Sequence, residues 1–306
     1  MRNICVINNY NYANYIGECI DSALRQVVPF DKILIIDDGS TDRSRDVIDK
    51  YAQENTVIQT IFKENRGQLS CFNVAAQHIE MEDFVFLLDS DDVFPPDYTQ
   101  LMLEQKKQHP ADLYFCEPGK FQDEKCPLTT SKTGVKDMDF TWEISSYTIR
   151  TRRSWVGSPT SCVSLTGALY QKLLPYAHED EWRTRADDII IFGSSLVGAT
   201  KRYVPSLTIG YRVHQTNAYH GRKFSDAYEI RRQLNIDRYF NLMCITHSLS
   251  TRPSALERPS EQEIRLVPHA LRARFNLPSD LDLYIRGKRG IKRHVRRIKF
   301  MLKGLR

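Results

Sequence analysis

FVFLLDSDDVFPPD, residues 84–97, is an apolar run that ends in a knot of acid. Phe84 to Leu88 predict a buried strand, and Asp89, Ser90, Asp91 and Asp92 follow without a spacer. Three carboxylates at one strand end repel one another, and burying them uncompensated costs on the order of several kcal/mol. A divalent cation held by oxygen ligands supplies the compensation. The carboxyl end of a strand is also where open α/β sheets place their ligands. One Asp would suffice to cap the helix expected after Pro95 and Pro96. Three acids therefore favour the cation, with Asp92 left open between the metal and the cap.

The flanking sequence keeps a strand–helix rhythm through residue 116. Ile4–Ile7, Lys32–Ile36, Thr56–Phe62, Phe84–Asp89 and Asp112–Cys116 read as strands. Between them, Tyr15–Gln26, Arg43–Glu54, a stretch from the Asn65-Arg66-Gly67 turn to Ile79, and Asp97–Gln108 read as helices. This order predicts an α/β fold, a mostly parallel sheet flanked by helices. Residues 117–160, polar, aromatic and rich in Ser and Thr, read as a long connection or a small mixed insert. Helices then follow at Gly167–Leu174, Asp187–Leu196, Asp226–Cys244 and Glu261–Arg274, with strand-like runs at Arg202–Val204 and Leu207–Val213.

Seven scattered cysteines form no CxxC pair, which argues against a zinc knuckle or redox dithiol and for a reducing, cytoplasmic setting. No GxGxxG follows the first strand, so dinucleotide oxidoreduction has no support. A phosphohydrolase with Asp89 as nucleophile would want DxDx[TV], and here Val93 stands one place late. Charge is uneven. Residues 286–306 carry ten Lys or Arg and no acid, and removing them from the net +5 leaves −5 over residues 1–285. Ile291, Val295, Ile298, Leu302 and Leu305 recur there at helical spacing. That pattern predicts a basic amphipathic helix on an anionic membrane surface, hence a peripheral protein on the inner face of the membrane. No base-stacking platform accompanies these charges, so nucleic acid is not expected as a partner.

An ordered set of motifs carries a family resemblance. INNYNYANYIGECIDSALRQ (7–26), ILIIDDGSTDRS (33–44), ENRGQLSCFNVA (64–75), LLDSDDVFPPD (87–97), SWVGSPTSCVSLTGALYQKLLP (154–175), RADDIIIFGSSL (185–196) and YRVHQTN (211–217) follow one another in order. Together they resemble the inverting glycosyltransferases of family 2, which have the Rossmann-like GT-A fold. The resemblance implies a transferase unit over residues 1–217, with a nucleotide-sugar half (1–116) and an acceptor half (117–217). A helical C-terminal extension (218–285) and the basic tail (286–306) would follow.

The implied donor is a nucleotide-diphosphate sugar, with UDP the family's usual nucleotide, and the implied acceptor is a glycan or lipid-linked saccharide. Mn²⁺ or Mg²⁺ on the Asp-x-Asp motif would neutralise the departing diphosphate. Asp91 is then the principal ligand, and Asp89 assists it or holds the ribose, with Ser90 beside it. Asn8, Asn9, Tyr10 and Asn11 take positions lining base and ribose, and Asp38 the position accepting a base N–H, with Ser40 in the same turn. Arg66 and Gln68 would approach the diphosphate, and His214 the diphosphate or metal. Asp188 takes the position of the general base, preceded by Asp187. Ser158, Thr160, Ser161 and Trp155 fall in the acceptor segment. Gly193 and Ser194 replace an aromatic and an Arg usual in relatives, which keeps open a degenerate domain that binds nucleotide or glycan without turnover.

Overall fold

A computed structural model describes residues 1–122, 137–140, 142–215, 217, 224–252, 264 and 267–278. The strand β1 (Asn3–Asn9) pairs in parallel with β2 (Lys32–Asp37) and β4 (Phe84–Asp89), and β2 with β3 (Ile58–Phe62). Four further strands complete the sheet: β5 (Leu113–Phe121), β6 (Met138–Phe140), β7 (Val163–Thr166) and β8 (Lys201–Arg212). Among the described residues, eight strands run in the order β3-β2-β1-β4-β7-β5-β8-β6. β7 is antiparallel to both neighbours and β6 to β8, while β5 and β8 are parallel. The mostly parallel α/β sheet expected from the sequence is the architecture found.

Because side chains alternate across a strand, each central strand feeds two cores. Ile4, Val6, Leu34, Ile36, Val85 and Leu87 point to one face, which α3 (Gln68–Ala75), α6 (Gly167–Leu173), α7 (Asp187–Leu196) and α8 (Asp226–Thr246) cover. Cys5, Ile7, Ile33, Ile35, Phe84, Phe86 and Leu88 point to the other, under α1 (Ile16–Leu24), α2 (Ser44–Glu54) and α4 (Tyr98–Gln108). Both faces being buried is why these strands read as continuous apolar runs. The six described cysteines are buried and free.

Two stretches are more regular than the sequence alone specified. Of the two readings of 117–160, the small mixed insert is the one found, with β6 and α5 (Trp142–Arg152). Residues 145–150 of that helix are all buried, and its polar side chains turn back onto its own backbone, Thr148 Oγ1 to Ser145 O and Arg150 Nε to Ser146 O. A helix buried on every side has no amphipathic stripe to betray it. Secondly, the two runs after residue 201 are one strand. Opposite Cys116 and Glu117 the register jumps from Val204 to Thr208, a bulge that accommodates Pro205, which has no N–H for the ladder.

α8 lies against α7 at Gly193, where a Cβ would come within 2.2 Å of Tyr239 Oη, and Tyr239 Oη donates to Ile189 O at 2.9 Å. This contact accounts for the glycine that stands in place of a larger residue. The helix expected over 261–274 is interrupted: Val267 and Pro268 are not helical, and Pro268, extended at ψ 142°, precedes the short α9 (His269–Arg274), whose neighbour Phe275 packs edge-on against Phe115 and Tyr203. The basic tail, 286–306, lies outside the described residues. Among those described, no helix is long and apolar enough to cross a membrane.

Candidate active site

Parallel register sets the site. Asn8 lies beside Asp89 and Asn9 beside Asp37, so the ends of β1, β2 and β4 form one polar edge. β7 pairs with β4 only through Phe84–Phe86, leaving the tip of β4 unpaired on that side. A short 3-10 turn, Thr160–Cys162, fills the gap, and its Ser161 Oγ accepts the backbone N–H of Asp89 at 3.0 Å. Above this edge lies a cavity of about 430 Å³. Asn8, Asn9, Tyr10, Asp38, Gln68, Asp89, Ser90 and Asp91 line it.

The three acids of the motif have separate surroundings. Asp89 Oδ1 accepts Asn8 Nδ2 at 3.0 Å and Gln68 Nε2 at 2.9 Å, and burial together with the Asp91 charge pushes its carboxyl up to about 7. Asp91 Oδ2 meets His214 Nε2 at 2.9 Å and accepts Asn217 Nδ2 at 3.0 Å. The His214 ring is held by stacking on Tyr15, centroids 4.5 Å apart. Asp92 points the other way. It accepts Ser161 Oγ at 2.6 Å and Arg212 N at 2.8 Å, and burial drives its carboxyl well above the carboxylate range. It neither caps α4, which has no side-chain cap, nor faces the cavity; it ties the end of β8 and the 160 turn to the tip of β4.

β8 is thereby brought across the tip, through the Val93–Gly210 bridge and the bond from Arg212 Nε to Asp91 O at 2.9 Å. This crossing delivers His214 and Asn217 to Asp91. Among the described residues no three His, Cys, Asp or Glu side chains converge as a metal cluster. A Mg²⁺-like cation, however, keeps several waters and needs only one or two protein carboxylates besides substrate phosphates. Asp91 and Asp89, with His214 at the first, fit that requirement. The unpartnered buried oxygens Asn8 Oδ1, Asn9 Oδ1 and Ser90 Oγ are acceptors in want of a positive or donating group.

On the nucleotide side, Asp38 is buried. Its Oδ1 takes Arg66 N at 2.9 Å and Lys63 Nζ, whereas Oδ2 takes only Gly67 N, at 2.7 Å, and keeps a lone pair for a further donor. Asn11 and Ser40 do not reach the cavity: Asn11 Oδ1 accepts Thr41 N at 2.7 Å, and Ser40 Oγ accepts Asn9 Nδ2 and Asn11 N, so both knit the turn. Arg66 also departs from expectation. Its guanidinium turns away to Glu179 at 2.9 Å over a separate cleft, leaving its backbone N–H as its contribution to the site. Gln68 proves more central, donating to Asp89 and Thr160 while accepting Ala186 N at 3.0 Å. Gly67 makes that possible: its φ is +92°, and a Cβ would stand 2.3 Å from Arg183 Cα.

Across the cavity is the acidic pair at the start of α7, whose two carboxyls face different ways. Asp188 is fully buried between Arg185 (3.2 Å) and Arg232 (2.7 Å) and does not line the cavity. Asp187 lines it instead. Its Oδ1 has no partner, and burial followed by the Asp188 charge pushes its carboxyl up to about 7. Of the acceptor residues, Trp155 and Thr160 line the cavity; Ser161 is committed to Asp89 and Asp92, and Ser158 is buried elsewhere. Arg183, Thr184, Tyr211 and Asn217 line it too, without having been singled out.

Comparison with known proteins gives this geometry a family. The model of "Glycosyl transferase family 2" matches residues 4–173, more than half the chain. The chain belongs to that family. It is similar to an uncharacterized glycosyltransferase of Nostoc sp., 30% identical over 220 residues, 71% of this chain and 66% of the relative. It is also similar to the chondroitin synthase of Pasteurella multocida, 40% identical over 96 residues, which are 31% of this chain and a tenth (10%) of that enzyme. Two solved structures share the fold. S. aureus TarS 1-349 in complex with UDP-GlcNAc has a TM-score of 0.58 at 18% identity, with 89% of this chain and 83% of TarS covered. Mannosyltransferase PcManGT from Pyrobaculum calidifontis, in complex with GDP-Man and Mn²⁺, has a TM-score of 0.56 at 16% identity, with 100% and 81% covered.

The role given to Asp92 is testable by denaturation. Asp92→Asn, which can still accept Arg212 N and bond Ser161, retains wild-type stability, whereas Asp92→Ala strands both partners and costs about 1–3 kcal/mol. Equal midpoints in urea for Asp92→Ala and the wild type would refute it.

Proposed function

We propose that the protein is a metal-dependent inverting glycosyltransferase that moves a sugar from a nucleotide diphosphate, UDP by preference, to a hydroxyl of a glycan or lipid-linked acceptor. The observation carrying this reading is that Asp89 and Asp91 on β4 and Asp187 on α7 line one cavity, with Gln68 bridging the two elements. The UDP-GlcNAc, GDP-Man and Mn²⁺ bound by fold relatives support it.

Asp38 Oδ2 accepts a base N–H, and Asn8, Asn9 and Tyr10 line base and ribose. Asp91, with Asp89 and His214 beside it, would hold a divalent cation, which would supply positive charge to the departing diphosphate. Asp187, in place of Asp188, is the general base. As the acceptor oxygen bonds to the anomeric carbon, Asp187 takes the hydroxyl proton and the bond from that carbon to the diphosphate breaks. Base and leaving group stand on opposite sides of the reacting carbon, which inverts its configuration. Trp155 offers its ring to the acceptor sugar. The basic stretch 286–306 attaches the enzyme to an anionic inner membrane face.

Thermal unfolding and turnover test the two halves separately. UDP with Mn²⁺ stabilises the wild type, by about 2.7 kcal/mol at a hundredfold excess over Kd. Asp91→Asn loses that stabilisation; Asp187→Asn keeps it but loses roughly 10²–10⁴ in rate. In the wild type the rate falls as pH drops through about 7, where Asp187 gains a proton and can no longer accept one. Undiminished turnover by Asp187→Asn would remove the base, and absence of any UDP–Mn²⁺ stabilisation would remove the donor site. For the membrane, the full chain co-sediments with phosphatidylserine vesicles and a chain ending at residue 285 does not; equal sedimentation contradicts the attachment.

A further inference from the structure

α8 has no part in the reaction as described so far, yet one of its side chains reaches the acidic pair. Arg232 Nη2 donates to Asp188 Oδ2 at 2.7 Å, and Arg185 Nη2 meets the other oxygen, Oδ1, at 3.2 Å. Two guanidinium groups thus occupy both oxygens of a carboxylate that has no solvent exposure. Arg185 does so from a left-handed backbone, φ +62°, a costly conformation for a residue with a side chain. Breaking such a buried pair on one side leaves an uncompensated charge. The seating of α8 is itself specific: Tyr239 rests on Gly193, Asn235 Nδ2 donates to Glu181 O at 3.2 Å, and Arg238 pairs with Glu181.

We propose that Arg232 is a positioning residue for the base: it holds Asp188 away from the cavity, so that Asp187 alone faces the acceptor, and its charge belongs to the field in which Asp187 takes up and releases the proton. This rests on the reading of Asp187 as the base. The charged and titratable groups around Asp187 come from every element packed there: Asp188 on α7, Arg185 on the preceding loop, Arg232 on α8, Asp89 on β4 and Tyr211 on β8. Asp188 raises its proton affinity, and the two arginines lower it. The C-terminal part of the chain therefore supplies both ends of the site, His214 and Asn217 at Asp91 and Arg232 at Asp188.

The opposing charges predict opposite shifts. The probe is the ¹³Cγ signal of Asp187 in the full chain labelled at aspartate, identified by its loss in Asp187→Asn and followed across the neutral pH range. Arg232→Gln moves its midpoint upward by on the order of one pH unit, Asp188→Asn moves it downward, and Arg232→Lys stays close to wild type. The acid limb of UDP release from UDP-GlcNAc with Mn²⁺ follows the same order. An unmoved midpoint in Arg232→Gln, with turnover reduced equally at every pH and thermal unfolding unchanged, would overturn the proposal. Failure of the base reading looks different: the ¹³C midpoints shift as stated, but the acid limb survives in Asp187→Asn. Arg232→Lys keeps the charge and the pair, so the comparison remains readable should Arg232→Gln unfold.

Discussion

Negative charge crowded at the tip of β4 is the constraint around which the molecule is arranged. Asp89, Asp91 and Asp92 stand at the end of a strand buried on both faces, where the Asp91 charge raises the cost of ionising Asp89 and Asp92. The fold answers each differently. Side-chain amides of Asn8 and Gln68 meet Asp89, an imidazole and an amide meet Asp91, and a hydroxyl and a backbone N–H meet Asp92. Only the first two are turned toward the cavity. The third serves as a buried clasp, and through it β8 is drawn over the strand end.

Distant segments converge because of these contacts. β1 and β4 contribute through parallel register, which needs only the strands themselves. The 160 turn and β8 contribute through hydrogen bonds to Asp89 and Asp92, and α7 through the amide of Gln68. Gln68 in turn depends on Gly67, whose missing side chain lets the chain pass against Arg183. The site is thus a set of loops pinned to a rigid edge, a common division of labour between scaffold and function.

Much of this was legible in the sequence, for physical reasons that differ by element. Strands buried on both faces appear as unbroken apolar runs, and β1, β2 and β4 are such strands. The acid cluster was legible because three carboxylates crowd one buried strand end, although the third, Asp92, serves the fold and not the cavity. α5 was hidden, since a helix buried all round with polar residues bonded to its own backbone shows no stripe. Pro205 divided β8 into two apparent strands, because a bulge has no one-dimensional signature. Arg66 misled: its position beside the site is right, but Glu179, remote in sequence, claims its charge. Which of Asp187 and Asp188 faces the cavity also turns on a remote partner, Arg232 on α8, which adjacent residues do not reveal.

The central claim is that the acids at this strand end, with a cation, grip the pyrophosphate of a sugar donor. Crystals grown with UDP and Mn²⁺ and measured at the manganese absorption edge test it most directly. The account predicts an anomalous peak within bonding distance of an Asp91 carboxylate oxygen, bridged to both phosphates, with the uracil N–H on Asp38. Nucleotide bound elsewhere, or manganese away from Asp91, would contradict it.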